Sequence, residues 1–141
     1  MAPRAGDGPG SSTGPEGPPD GSGEAYSRFQ EGSRLLDSGN THAAIVALER
    51  ARDLEPDKGS IREALARAYF RSGRVALAKV EFETVVELDP VNDYAHFGLG
   101  LCLLRQGDRL GARRHLKLAV AMRPDQADYR NALSRAVDES P

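Results

Sequence analysis

The residues that could do chemistry in this chain are few and scattered. His42, His96 and His115 fall on separate predicted helices, Cys102 is the single cysteine, and carboxylates gather on one predicted helix as Glu81, Glu83 and Glu87. Nucleophilic catalysis needs a base within hydrogen-bond reach of the nucleophile and a third group to orient that base, and no spacing here supplies such a set. Cys102 sits among Leu101, Leu103 and Leu104, a setting in which a free thiol is a small core hydrophobe. One cysteine makes no internal disulfide, and three separated histidines are a poor start for a structural metal site. Glu83 and Glu87 share a helix face at i,i+4, but acid–base work would need a cleft that separates their pKa values; a solvated face is expected for this cluster. His96 is expected to be a partly buried structural histidine. FGLG at 97–100 falls inside a helix, and no glycine-rich phosphate loop follows a strand. The expectation is a chain without catalytic residues, metal or cofactor.

Charge adds one asymmetry. The net charge is −2, and the first 23 residues carry all of it, so residues 24–141 hold 18 basic and 18 acidic groups. Such a neutral body has no bulk attraction to nucleic acid or to an anionic membrane. Arg109, Arg113 and Lys117 nevertheless recur every four residues as a basic stripe. Aromatic residues do not interleave with it, and single-strand binders combine charge with stacking platforms. Nothing is long and apolar enough to span a membrane, and nothing near Met1 resembles the apolar core of a signal peptide. The chain is expected to be cytoplasmic.

The elements that position these residues are announced by glycine and proline. Seven of the 15 glycines and five of the nine prolines fall in residues 1–23, which contain no Val, Ile, Leu or aromatic residue. Such a segment buries too little apolar surface to offset the entropy of ordering; residues 1–23 are expected to form a disordered tail. Pro56, Pro90 and Pro124 then stand 34 residues apart, and a strict period of that length signals a repeat architecture. With repeats set at 25–58, 59–92 and 93–126, Gly39, Gly73 and Gly107 align at position fifteen and Ala44, Ala78 and Ala112 at twenty. Leu48, Phe82 and Leu116 align at twenty-four.

Each column has a physical reason. The glycine ends one helix by taking a left-handed conformation, and the proline ends the next. Small residues at eight (Gly32, Ala66, Gly100) and at twenty let paired helices approach. The pattern predicts helices over 24–38, 41–54, 58–72, 75–88, 92–106 and 109–122, with a capping helix over 126–138. Asn40, Asp57, Asn92 or Asp93, Asp108 and Asp125 are the expected N-caps. In the capping helix, Ala132, Leu133, Ala136 and Val137 form the expected apolar stripe.

The motif L-G-x-x-[LY], then A-x-x-x-[LF]-x-x-A and proline at thirty-two resembles the tetratricopeptide repeat, best in Leu99, Gly100, Leu103, Ala112, Leu116, Ala119 and Pro124. Position four departs from that family's tryptophan, being Arg28, Arg62 and His96. The resemblance covers residues 25–138. It implies an all-α fold, a right-handed superhelical stack of antiparallel helix pairs, in a domain over 24–141. It also implies a concave groove lined by positions two, five, nine, twelve and thirteen of each first helix.

Candidate groove residues on that basis are Tyr26, Phe29, Ser33, Glu63, Arg67, Phe70, Arg71, Tyr94, Phe97, Leu101 and Arg105, with Asn131 from the capping helix. Leu36 and Leu104 share these positions and could equally complete the packing. Gly98, at position six, suggests a small groove floor. Aromatic and arginine side chains are the types that anchor interfaces. The implied function is an adaptor or scaffold that binds a segment of another protein without catalysis. The alternatives are a homo-oligomerising unit and, behind it, an RNA-binding helical repeat. Some family members clamp a C-terminal carboxylate with Lys and Asn at positions five and nine of the first helix and Lys or Arg on the third; Phe29 and Ser33 replace the first pair, and Tyr94 and Gly98 leave the third helix without the basic residues.

Overall fold

Local sequence signals resolve into seven α-helices among the described residues, which in this computed structural model are 22–138. They are α1 (Ser22–Asp37), α2 (Thr41–Leu54), α3 (Gly59–Arg71), α4 (Val75–Leu88), α5 (Asp93–Arg105), α6 (Arg109–Met122) and α7 (Ala127–Asp138). No strand occurs among these residues, so the fold is all-α. The tail expected over 1–23 lies outside the described residues except for Ser22 and Gly23, which open α1.

The turns between paired helices are built alike. Gly39, Gly73 and Gly107 have φ of 85°, 85° and 84°, a left-handed backbone that costs glycine nothing extra. That conformation turns the next amide back onto the helix: Asn40 N donates to Leu35 O at 2.8 Å, Arg74 N to Tyr69 O at 2.8 Å and Asp108 N to Leu103 O at 2.9 Å. Each bond satisfies a carbonyl that the helix end would otherwise leave bare. Pro56, Pro90 and Pro124 follow two residues beyond α2, α4 and α6, where a residue without an amide hydrogen cannot prolong a helix.

The caps divide unevenly. Asn92 Oδ1 accepts from Ala95 N and Asp108 Oδ1 from Gly111 N, both at 2.9 Å. Asn40 precedes α2 without a side-chain cap, contrary to expectation, although Asp108 caps α6 from nearly the same backbone angles. Asp57 and Asp125 stand one residue too early, since Lys58 and Gln126 immediately precede α3 and α7.

Two compact units make up the chain, Met1–Ile61 and Arg62–Pro141, and each is described by itself. In the first, α1 packs on α2 through a contact so close that a Cβ on Gly32 would overlap Leu48. Ala25, Ala51 and Ile61 form a buried cluster with Phe29 and Leu54 against it. In the second, α5 packs on both α4 and α6, and α7 on α6 and α5. Gly100 repeats the first unit's device against Leu116. In the repeat where position eight is alanine and twenty-four is Phe82, the phenylalanine ring lies over Gly98 instead.

Position four pairs with position twenty-three across the antiparallel helices. Arg62 Nη1 meets Glu81 Oε1 at 2.9 Å, and His96 meets His115. Glu81 is only 4% exposed, so the solvated face expected for the glutamate cluster is correct for Glu83 and Glu87 and wrong for Glu81. In the first repeat the same columns are Arg28 and Ala47, and Arg28 turns to Glu24 and Glu31 on its own helix.

The Phe82 contact sets a stability test. Gly98→Ala would gain about 1 kcal/mol of helix propensity and lose roughly 1–3 kcal/mol to overpacking. Chemical denaturation should show a net loss of stability for Gly98→Ala, and a smaller loss for the same change in a Phe82→Leu background. A stabilising Gly98→Ala in the wild-type background would show that the ring yields freely.

Candidate functional site

The second unit carries an open groove of about 700 Å³ and, beside it, a small cavity of about 90 Å³. Phe70, Phe97 and Leu101 line both, so the two adjoin. Leu104, Arg105, Gly107, Arg109, Asp128, Asn131, Ala132 and Arg135 complete the groove. Arg67, Arg71, Phe82, Tyr94 and Gly98 complete the cavity. The walls are therefore α3, α5 and α7, with the Phe82 ring of α4 reaching in from behind.

Packing holds these side chains in place. Phe97, Leu101 and Leu104 rest on a core of Leu103, Ala112, Leu116, Ala132 and Ala136. Aromatic rings follow one another along the wall: Phe82 meets Tyr94 edge-on at 6.1 Å, Tyr94 meets Phe97 at 6.1 Å, and Phe97 stacks on Tyr129 at 4.7 Å. Tyr129 is 5% exposed and donates its hydroxyl to Asp93 Oδ2 at 2.7 Å. Burial and that bond push its pKa upward. Tyr94 is raised as well, mainly by burial, with the nearby Arg67 guanidinium opposing the shift. Across the groove the Arg105 guanidinium lies 5.2 Å from the centre of the Phe70 ring. Arg67 Nε is buried without a hydrogen-bond partner.

Of the twelve candidate residues, the structure brings Arg67, Phe70, Arg71, Tyr94, Phe97, Leu101, Arg105 and Asn131 to these two adjoining spaces. Glu63 lies nearby, with Oε2 3.5 Å from Asn92 Nδ2. Tyr26, Phe29 and Ser33 belong to the first unit: Tyr26 is exposed and accepts from Gln30 Nε2 at 2.9 Å, while Phe29 packs against Ala25, Ala51 and Ile61. Leu36 is fully buried and belongs to the core. The small floor expected at Gly98 is filled by the Phe82 ring. Sequence reasoning misses Tyr129, and it misplaces the exposed Val137 in the buried stripe. The signal for Tyr129 is its register: it is third in its unit, the column that buries Ile61 and Ala95.

Chemistry elsewhere is sparse. Cys102 is buried, which pushes its thiol pKa up to about 11. Among the described residues, no three His, Cys, Asp or Glu side chains are placed to hold a metal, and no helix is long and apolar enough to cross a membrane. Two histidines do meet. His96 Nε2 is 2.8 Å from Pro90 O, and a carbonyl only accepts, so that nitrogen carries the proton. Nδ1 of neutral His96 is then the acceptor, and His115 Nδ1 donates to it at 3.0 Å.

Burial, with His96 and Arg114 alongside, holds the His115 imidazole below the usual histidine range. The unfolded chain therefore takes up this proton at higher pH than the folded one. Stability is full above the ordinary histidine value of about 6.5 and falls as pH drops from there towards the lower folded value. Melting temperatures at about pH 7.5 and about pH 5.5 should differ more for the wild type than for His115→Gln. Equal differences would remove His115 as a source of acid sensitivity.

Comparison with known proteins agrees with this architecture. Two family models described as tetratricopeptide repeat match residues 35–92 and 64–127. A TPR repeat-containing protein of Pseudomonas aeruginosa is 33% identical over 103 residues, covering 73% of this chain and 40% of that protein. A TPR repeat-containing thioredoxin of Arabidopsis thaliana is 36% identical over 97 residues, covering 69% of this chain and 14% of that protein. The chain thus spans less than half the length of either relative. Among solved structures, the first TPR of Spaghetti bound to an HSP90 peptide superposes with a TM-score of 0.78 at 20% identity, covering 82% of this chain and 91% of that one. The TPR domain of Sgt2 from Aspergillus fumigatus gives a TM-score of 0.74 at 20% identity, covering 89% of this chain and 82% of that one.

Proposed function

We propose that this chain, which belongs to the tetratricopeptide-repeat family, is a non-catalytic adaptor whose second unit takes up a segment of a partner protein in the groove between α3, α5 and α7. One observation carries the reading. The groove and its side cavity share three partly buried apolar side chains, Phe70, Phe97 and Leu101, held from behind by packed rings and flanked by arginine. A concave apolar surface with a few convergent polar groups is the ordinary form of a ligand site. Aromatic and arginine anchors are the ordinary source of binding energy at interfaces. That a similar fold, the first TPR of Spaghetti, was solved bound to an HSP90 peptide supports the class of partner.

Selection of a random peptide display library on the full chain would test this reading. The peptides it enriches should bind the Phe70→Ala variant at least about tenfold more weakly, equivalent to roughly 1.4 kcal/mol. Circular dichroism would verify that the variant stays folded. Peptides that bind wild type and Phe70→Ala equally would place recognition elsewhere.

Self-association is a second reading, favoured by a separate feature of the first unit. A depression of about 530 Å³ there is lined by Leu35, Ala43, Val46 and Ala47 between Arg28, Glu31 and Arg50. Val46 is 69% exposed. If two copies meet on this face, sedimentation should show a concentration-dependent dimer that Val46→Lys abolishes. A monomer at every concentration would exclude this reading.

A further inference from the structure

We infer, resting on the groove reading above, that the bound segment is acidic and is anchored by one branched aliphatic side chain, with no requirement for a free C-terminal carboxylate. Three observations lead there.

The first is charge. The charged residues lining the groove and its side cavity are Arg67, Arg71, Arg105, Arg109 and Arg135 against the single carboxylate of Asp128. This imbalance is local, since residues 24–141 are neutral as a whole. A low-dielectric apolar wall strengthens the field of such a cluster, and Arg67, Arg105 and Arg135 leave it favourable to an acidic segment. Arginine is also chemically suited to side-chain carboxylates. Its planar fork offers parallel N–H donors that match the two carboxylate oxygens. Arg105 spends the face of its guanidinium on Phe70 and keeps the in-plane N–H edge for a carboxylate. Arg67 has a buried Nε with no hydrogen-bond partner.

The second is the state of the aromatic faces, which argues against nucleic acid. Phe97 is stacked on Tyr129, Tyr94 lies against the rings of both Phe82 and Phe97, and Phe70 is covered by Arg105. Basic grooves that hold single strands stack bases on open aromatic faces. Here one face or edge of each ring is already in contact within the protein, which leaves less open face for a base.

The third is size. The side cavity of about 90 Å³, walled by Phe70, Tyr94, Phe97 and Leu101, corresponds to about three waters of liquid volume. That matches one leucine or isoleucine side chain better than an indole. The larger groove, open and lined by Arg105 and Arg135, then takes the neighbouring acidic residues. The carboxylates inferred are those of Asp and Glu side chains, which the arginine forks match.

The experiment uses the full chain and a display library of random twelve-residue peptides closed at both ends by fusion, so that no free carboxylate is offered. Enriched sequences should be net acidic with one Leu or Ile. Their synthetic amidated copies should bind at least about tenfold more weakly at about 300 mM than at about 50 mM salt. They should also lose at least about tenfold against Arg105→Glu or Arg135→Glu, and a Glu→Lys exchange in the peptide should restore binding to the charge-reversed variant. Enriched peptides that are neutral or basic, lost with Phe70→Ala but indifferent to Arg105→Glu, would overturn the acidic assignment and leave the groove reading intact. Indifference to both substitutions would overturn both. A single-stranded oligouridine probe that binds more tightly than any enriched peptide, and is lost with Arg105→Glu, would overturn the protein segment as occupant.

Discussion

The structure depends on how closely the two helices of each pair can approach. At position eight the backbone itself is the contact surface: Gly32 lies under Leu48 and Gly100 under Leu116, with no room for a methyl group in either case. Removing the Cβ lets the leucine at twenty-four bury completely. The helical glycine costs about 1 kcal/mol relative to alanine, and complete burial of a leucine contributes roughly 1.5–3 kcal/mol. The exchange is favourable because burying the leucine stabilises the pair by more than the glycine weakens its helix. Where the large residue is Phe82, the same compensation uses Gly98 in place of position eight. A single rule, one missing Cβ under each large side chain, therefore accounts for glycines that look unrelated in the sequence.

Much of this is legible in the sequence because the period of the chain repeats its local chemistry. Left-handed turns need glycine, so Gly39, Gly73 and Gly107 mark the ends of α1, α3 and α5. The prolines mark the ends of α2, α4 and α6, and every observed helix boundary lies within two residues of its expected position. The caps are harder to read from residue type: Asn40 makes no side-chain cap, whereas Asp108, at nearly the same backbone angles, caps α6 and Asn92, in extended backbone, caps α5.

The site is less legible for a related reason: a column tells which face a side chain is on, and does not tell what has already occupied that face. Phe97 and Tyr94 read in sequence as rings offered to a partner, yet Tyr129 and Phe82 take much of their surface. Composition groups Glu81 with Glu83 and Glu87, although its column faces position four and so meets Arg62. His96 and His115 look unrelated because they lie on different helices and in different columns. Antiparallel pairing brings columns four and twenty-three together, and 19 residues separate the partners in both pairs. A reading by pairs of columns finds both contacts.

These internal contacts also change how the groove can work. Aromatic rings already in contact with one another offer less free face, so they mainly shape the wall. The charge is carried by the arginine layer. A guanidinium packed on a ring, as Arg105 is on Phe70, has lost rotamer freedom before any partner arrives, so less entropy remains to be lost on binding. Arginines spread along an open groove steer an oppositely charged segment from a distance, which raises the rate of encounter more than the strength of the final contact. In the proposed site the small cavity would act only at contact, where it would favour one side-chain size over another. Selectivity in such a site divides between a long-range step that reads charge and a short-range step that reads shape. The stacked rings behind the wall keep the second step rigid while the first stays tolerant of sequence.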